Sequence, residues 1–358
     1  MISKAIKGKD FTDQNLYVGI DVHHKSWAVS IYSDEFELKT FSQQPDVDQL
    51  ISHLQTHYPR GKYHLAYEAG FSGFWIQRSF AHKGLNCQVI HPADIPSSDK
   101  ENKRKTDKVD CRKIARGIKN GDLNAIYIPD EQMEADRLLV RARGKIIQDL
   151  TCVKNRIKAF LKIRGIAIPD SFKTSRWTQR FIKWLYEINI GEGSGKAALL
   201  AYIEEAEFLI SREKRLQLAI KELSGTERYA LGMHLLSSVP SIGLIAGMTL
   251  LTEIGDIKRF NKLDHLCSYC GLTPNCHSSG ETERIYGMSR RGNPFIKTIL
   301  IECAWMALRK DPALLLYYKE LLPRMHPNKA VVKVARKLLN RIRYVLINQK
   351  EYVTGVSA

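Results

Sequence analysis

The chain has 358 residues, 44% hydrophobic and 26% charged, the balance of an ordinary globular protein long enough to bury more than one core. No apolar run approaches a membrane span: the best, Ile242 to Leu251, is short and is followed by Glu253, and the charges of Lys4, Lys7, Lys9 and Asp10 are not those of a signal peptide. The formal net charge of +17 divides as +2 over residues 1–130, +6 over 131–224 and +9 over 225–358, so a polyanionic partner is expected, contacted mainly by the C-terminal half.

In chain order, Leu16–Val22 and Trp27–Tyr32 alternate as strands around the tight connection His23-His24-Lys25-Ser26, and a third strand is predicted at Phe36–Phe41. Asp46–His57 carries Val47, Leu50, Ile51 and Leu54 on one helical face. Lys62–Tyr67 predicts a strand ending at Glu68-Ala69-Gly70, Phe74–His82 a helix, and Cys87–His91 a strand closed by Pro92. After the polar stretch Ser97–Lys105 a helix is expected to begin near Thr106. A strand hairpin followed by alternating helix and strand implies an α/β domain with a mixed sheet over 1–130. Residues 131–224 show long helical spacing (Leu138, Ile146, Leu150, Val153, Ile157, Leu161, then Leu199–Leu223), read as a helical hairpin or short coiled coil for dimerisation or spacing. Residues 225–358 read as mostly helical, with a loop-rich insert from Gly271 to Asn293. Seven scattered cysteines imply a reducing compartment, and a cytoplasmic, nucleoid-associated location is expected.

The first chemical constellation is acidic. Asp21 ends an apolar strand, where an inward carboxylate is costly unless paired or bound to metal. Glu68 ends a second strand, and Asp107 and Asp110, three apart, share a helix face. Four carboxylates converging in this way suit two Mg²⁺ ions, which clamp the attacking and leaving oxygens of an in-line phosphodiester displacement. Taken singly, each acid also reads as an ordinary strand-end charge or a helix start.

Tyr17-Val18-Gly19-Ile20-Asp21-Val22, Tyr67-Glu68-Ala69-Gly70 and Lys105-Thr106-Asp107-Lys108-Val109-Asp110 closely resemble the N-terminal domain of the DEDD transposases. These are insertion-sequence recombinases related to the Piv DNA invertase, some of them guided by a bridge RNA. Leu236-Ser237-Ser238-Val239-Pro240-Ser241-Ile242-Gly243, Gly271-Leu272-Thr273-Pro274, Ser278-Ser279-Gly280 and Gly287-Met288-Ser289-Arg290-Arg291-Gly292-Asn293 resemble the same family's C-terminal segments. The resemblance covers both ends of the chain, and the middle helices match in position and character. It implies a RuvC-like, RNase H-like α/β domain, metal-binding roles for Asp21, Glu68, Asp107 and Asp110 with Mg²⁺ or Mn²⁺, and Ser279 as nucleophile in a serine-bearing C-terminal domain. Ser278 stands where an acidic residue is common, and Ser241 where glycine is usual.

A serine hydroxyl can attack a phosphodiester and hold the broken strand as a phosphoserine ester, conserving the bond for rejoining. It needs deprotonation and cations on the phosphate: His277 is a candidate base, and Arg284, Arg290 and Arg291 are close enough in sequence to supply charge. Without the resemblance, the same stretch reads as a Ser/Gly-rich turn with solvated arginines. Because the acids and Ser279 fall in different domains, the resemblance implies a composite site across subunits, a homodimer pairing into a homotetramer around donor and target double-stranded DNA. A noncoding bridge RNA is the expected guide, and no membrane is involved.

Other features admit two readings. Val239–Leu251 is a helix-hairpin-helix for phosphate or a simple pair of packed helices. Cys267 and Cys270, with Cys276 and His277, are zinc ligands or core cysteines, and the apolar surroundings favour core. Lys329, Lys333, Arg336, Lys337, Arg341 and Arg343 form a basic helical run that is a solvated face or a nucleic-acid contact, with Lys333, Arg336 and Lys337 the chosen contact residues. Three rivals differ in class. A sugar kinase of the actin-like fold needs a Gly-rich loop that His23–Ser26 lacks. A RuvC-like metal-dependent, structure-specific endonuclease needs the acids without a covalent intermediate and so without the serine. A non-catalytic nucleic-acid binder needs neither.

Overall fold

The computed structural model describes residues 10–96, 106–172, 177–191, 193–279, 282–289 and 291–354, with side chains described outside 275–286. The chain divides into two compact units, Met1–Ile128 and Pro129–Ala358.

The first unit is built on a five-stranded sheet of β1 (Asn15–Val22), β2 (Trp27–Tyr32), β3 (Glu37–Gln43), β4 (Lys62–Glu68) and β5 (Cys87–Ile90), in the order β3-β2-β1-β4-β5. The first three strands form an antiparallel meander, and β4 and β5 add in parallel to β1. Strand periodicity decides what lies on each face. Leu16, Val18 and Ile20 point to one side, where α1 (Val47–His57) and α2 (Trp75–His82) contribute Leu50, Leu54, Ile76 and Phe80 to a continuous core. Asp46 caps α1 by accepting from the amides of Asp48 and Gln49 at 2.8 and 3.2 Å. Gly19 and Ala66 point to the other side, which is covered by α3 (Asp107–Asn120) through Ile114.

Among its described residues, the second unit is mainly helical, with one hairpin. Its two longest helices, α4 (Glu131–Ile163) and α6 (Ser194–Ser224), run antiparallel: Val140 packs near Ile220, Arg143 pairs with Glu213 at 2.7 Å, and Leu150 to Leu161 pack against Leu199 to Leu209. The short α5 (Gln179–Glu187) closes that end with Phe181, Ile182 and Leu185. The main core of the unit joins α7 (Glu227–Ser237), α8 (Leu244–Ile254), α9 (Leu263–Tyr269), α10 (Pro294–Ala307), α11 (Pro312–Leu321) and α12 (Pro327–Asn348). Between α9 and α10, where the sequence suggested loop, Pro274–Ser279 (β6) and Thr282–Met288 (β7) pair as an antiparallel hairpin. The polar run Asn275-Cys276-His277-Ser278-Ser279 has low strand propensity and no apolar alternation, so the cross-strand pairing has no local signature. No helix among the described residues is long and apolar enough to cross a membrane.

Candidate active site

Strand parity and register build the acidic site. Asp21 follows Gly19 by two residues, so it faces α3. Glu68 follows Ala66 by two and faces the same way. The parallel register pairs Ile20 with Tyr67, which makes Asp21 and Glu68 the next rung. The first turn of α3 carries Asp107 and Asp110, favoured there by the helix dipole. The distance between helix and sheet is set by Gly19: a Cβ at that position would lie 2.2 Å from the Cys111 carbonyl oxygen and 2.4 Å from the Ala115 amide nitrogen. Backbone meets backbone here, and only a glycine permits it. Asp21, Glu68, Asp107 and Asp110 consequently line one cavity of about 530 Å³.

Among the other residues that line this cavity, His23 and Lys113 contact the acids, and sequence reasoning did not select either. His23 opens the β1–β2 turn, whose first amide donates to the Ser26 carbonyl at 3.1 Å. Its Nε2 lies 3.2 Å from Asp21 Oδ2 and 3.4 Å from Asp107 Oδ1. Lys113, 7% exposed, places Nζ 3.0 Å from Asp110 Oδ1. Burial holds the Asp21 carboxyl above the ordinary carboxylate range, and the charges of Asp107 and Asp110 add to this against the opposing pull of His23. A half-buried carboxylate repelled by two others gains from a cation placed among them.

The donor set fits a divalent metal. It is dominated by hard carboxylate oxygens, and the ligand atoms of Asp21, His23 and Asp107 all lie within 4.8 Å of one another. An octahedral ion with bonds of about 2.1 Å needs neighbouring ligands ~3.0 Å apart and opposite ones ~4.2 Å apart, so small adjustments suffice.

Comparison with known proteins bears on both units. Residues 18–164 match the IS110-type DEDD transposase domain, and residues 233–319 match the transposase family described as IS116/IS110/IS902. The chain belongs to the IS116/IS110/IS902 family of transposases. Among its relatives, the putative transposase y4qE of Sinorhizobium fredii is 29% identical over 299 residues, covering 81% of this chain and 71% of the relative. The transposase for insertion sequence element IS1111A of Coxiella burnetii is 26% identical over 80% of this chain and 78% of its own length. That for IS1533 of Leptospira borgpetersenii is 26% identical over 82% and 85%.

In this family member the sequence-selected serine lies in the second unit. Ser279 is the last residue of β6, its Cα opposite Thr282, and Arg284 lies on β7 opposite His277. Their side chains, like Arg290, fall outside the described residues, and Arg291 is exposed with its amide donating to Ser289 Oγ at 3.2 Å. The root of the hairpin is tightly held. A Cβ on Gly292 would lie 2.1 Å from both Cα and N of Gly271, itself at φ +69°, so the two chain segments touch there. Next to them, Asn293 donates to Glu253 Oε2 at 2.7 Å, and its Oδ1 accepts from the amides of Phe295 and Ile296 to start α10. Glu253 is 1% exposed and is compensated by a two-point contact from Arg141 at 2.6 and 2.8 Å.

Ser241 adopts φ +77°, a left-handed conformation that glycine takes more readily than serine. The basic run on α12 is divided. Arg336 bonds Asp264 at 2.8 Å, Arg341 bonds the buried Asp311, and Arg343 donates to the carbonyls of Phe260 and Asn261. Lys333 and Lys337 are exposed, with the Lys337 ammonium 3.9 Å over the Tyr317 ring. Cys267 and Cys270 are fully buried in the main core, and burial pushes both thiols up, as expected of core cysteines.

Proposed function

We propose that this chain is a DNA-strand-transferring recombinase that excises and inserts an insertion sequence, cutting and rejoining DNA through a phosphoserine at Ser279. The single observation that carries the reading is the gathering of Asp21, Glu68, Asp107 and Asp110 around one cavity in a chain of a transposase family. The mixed sheet with helices on both faces supports an RNase H-like, RuvC-like first domain. The organisation we favour is a metal-binding domain at 1–130, a helical dimerisation region at 131–224, and a serine-bearing domain at 225–358.

Asp21, Glu68, Asp107 and Asp110 would hold Mg²⁺ or Mn²⁺, which supplies Lewis-acid charge to the phosphate oxygens when bound. The Ser279 hydroxyl loses its proton and attacks phosphorus. An Oγ–P bond forms, one bridging P–O bond breaks, and the departing strand leaves as a protonated hydroxyl. A hydroxyl from the incoming strand then attacks the phosphoserine, forms the new P–O bond and restores the serine. Arg284, Arg290 and Arg291 neutralise phosphate near the serine, and Lys333, Arg336 and Lys337 contribute to backbone contact from α12. The partners are donor and target double-stranded DNA and a bridge RNA, for which the net charge of +17 is the support. The acids and the serine combine across subunits of a homodimer that assembles to a homotetramer, in the cytoplasm at the nucleoid.

The test incubates the protein with Mg²⁺, the noncoding RNA from the flank of its own reading frame, and labelled donor and target DNA. A covalent protein–DNA adduct, lost in Ser279→Ala and in Asp21→Asn, is the expected result. Cleavage that persists in Ser279→Ala without an adduct replaces this reading with that of a metal-dependent nuclease.

A further inference from the structure

We propose that His23 is a direct ligand of the divalent ion, and that its imidazole nitrogen biases the site toward first-row transition ions such as Mn²⁺ over Mg²⁺. The inference rests on the reading of the acidic cavity as a metal site and adds a donor to it.

The geometry suits ligands that share an ion: the His23 Nε2 contact to Asp21 is within hydrogen-bond reach, but the same atom also faces a second carboxylate. One atom, His23 Nε2, faces two carboxylate oxygens at once, Asp21 Oδ2 at 3.2 Å and Asp107 Oδ1 at 3.4 Å. A ring nitrogen has one proton or one lone pair, so it can serve only one of two carboxylates by hydrogen bonding. Both separations exceed the roughly 2.7–2.9 Å of a charge-assisted N–H···O bond. They lie close to the ~3.0 Å edge of an octahedron with ~2.1 Å bonds. With the lone pair aimed at a shared cation, all three donors are satisfied together.

The surroundings agree. The turn bond from the His23 amide to Ser26 fixes the backbone beside β1, and the side chain is 48% exposed, open to an ion arriving from solvent. One oxygen of Asp110 is already engaged by the buried Lys113, which leaves Asp21, His23 and Asp107 as the tightest donor group in the cavity. Oxygen-only sites suit Mg²⁺, whereas an imidazole donor favours transition ions.

The full-length chain loaded with Mn²⁺ tests this by pulsed electron spin resonance. Modulation from a directly bound ¹⁴N is expected in the wild type and in His24→Gln, whose exposed side chain lies outside the cavity, and is expected to vanish in His23→Gln. Mn²⁺ affinity should fall about tenfold in His23→Gln, the scale of losing a supporting metal-site group, while Mg²⁺ affinity changes by less than about twofold. Mn²⁺ that binds the wild type in an Asp21-dependent way without ¹⁴N modulation overturns the inference and leaves the carboxylate site standing. Wild-type protein that binds no Mn²⁺, or Asp21→Asn that binds it as tightly as wild type, overturns both. Modulation that persists in His23→Gln overturns the inference as well, and the Mn²⁺ that this variant still binds through its carboxylates reports that its site is folded.

Discussion

The acidic cavity and the serine hairpin are built on opposite plans. The acids sit at two strand ends and in the first turn of a helix, in a unit where Gly19 presses helix backbone onto sheet backbone. The serine ends a two-stranded hairpin of polar sequence, anchored at its root by the Gly271–Gly292 contact and by the buried Glu253. Charge repulsion among acids demands a stiff frame around them. A proposed nucleophile that must reach a phosphate and later release it is well served by an element firmly attached at its root. The two plans therefore make different demands on substitution.

The largest effect on activity is expected at Asp21. Asp21→Asn should lower strand transfer by on the order of a thousand-fold by removing a carboxylate that would hold the cation facing the developing negative charge. Its stability should move the other way. A carboxyl held above its ordinary value contributes stability that is present below the unfolded value and lost as pH rises through the folded one. At neutral pH ionised Asp21 therefore weakens the metal-free fold, and Asp21→Asn should melt higher than wild type in chelator. The gap should narrow on acidification, and added Mg²⁺ should raise the melting temperature of the wild type far more than that of the variant. A variant that melts lower in chelator at neutral pH contradicts this account of the cavity.

Paired glycine substitutions separate the regions. Gly19→Ala drives a methyl into the Cys111 carbonyl and the Ala115 amide, neither of which is a flexible side-chain end, so a loss of about 3 kcal/mol is expected together with weakened Mn²⁺ binding. Gly292→Ala meets Gly271 at 2.1 Å and should cost about 2 kcal/mol, with loss of the serine adduct but with metal affinity unchanged. Calorimetric unfolding and Mn²⁺ titration on both variants check the division. Loss of metal affinity in Gly292→Ala would show that the hairpin contributes to the ion site.

Much of this was legible in the sequence, and where it was not the reasons are physical. The expected strand Leu16–Val22 is Asn15–Val22, and the expected helix Asp46–His57 is Val47–His57 with Asp46 as its cap, because buried faces write their periodicity into the chain. That the four acids line one cavity was legible from their combination at two strand ends and a helix start, since each one singly reads as an ordinary charge. His23 was not, since a turn histidine has no periodicity, and Lys113 reads as a surface lysine until α3 is laid over the sheet. Arg336, Arg341 and Arg343 read as parts of one basic run, a solvated face or a nucleic-acid contact. Their partners Asp264, Asp311 and the Phe260 carbonyl lie 72, 30 and 83 residues away, and only the folded chain brings them together. The hairpin escaped because polar strands carry no apolar alternation.

Acid should act unequally on the two units. His53 packs between Phe41 and His57, and its Nε2 has no hydrogen-bond partner among the described residues. Burial, helped by the charges of Lys39 and His57, pushes it down to about 4 from 6.5. The folded unit keeps His53 neutral while the unfolded chain accepts a proton, so stability falls as pH drops from about 6.5 and the loss levels off near 4. His53→Leu should flatten this dependence in the first unit and leave the acid response of the second unchanged, as read by hydrogen exchange of α1 and α8 amides across that range.

The smallest effect is expected at Ser241, in the turn between α7 and α8. Its backbone is left-handed at φ +77°, and its Oγ donates to the Cys303 carbonyl at 2.7 Å. The conformation costs about 1 kcal/mol for a non-glycine residue, and the bond returns about as much. Ser241→Gly removes both and should be nearly neutral. Ser241→Ala keeps the strain and loses the bond, so it should cost about 1 kcal/mol, or roughly 3 °C in the melting temperature of a unit this size. The order of the two variants is the point. α8 carries Glu253, which holds Asn293 at the hairpin root, so a shift of this turn reaches the serine before it reaches the acids. Ser241→Ala should therefore slow adduct formation slightly at unchanged Mn²⁺ affinity, and an alanine variant as stable as the glycine one removes the hydrogen bond from this account.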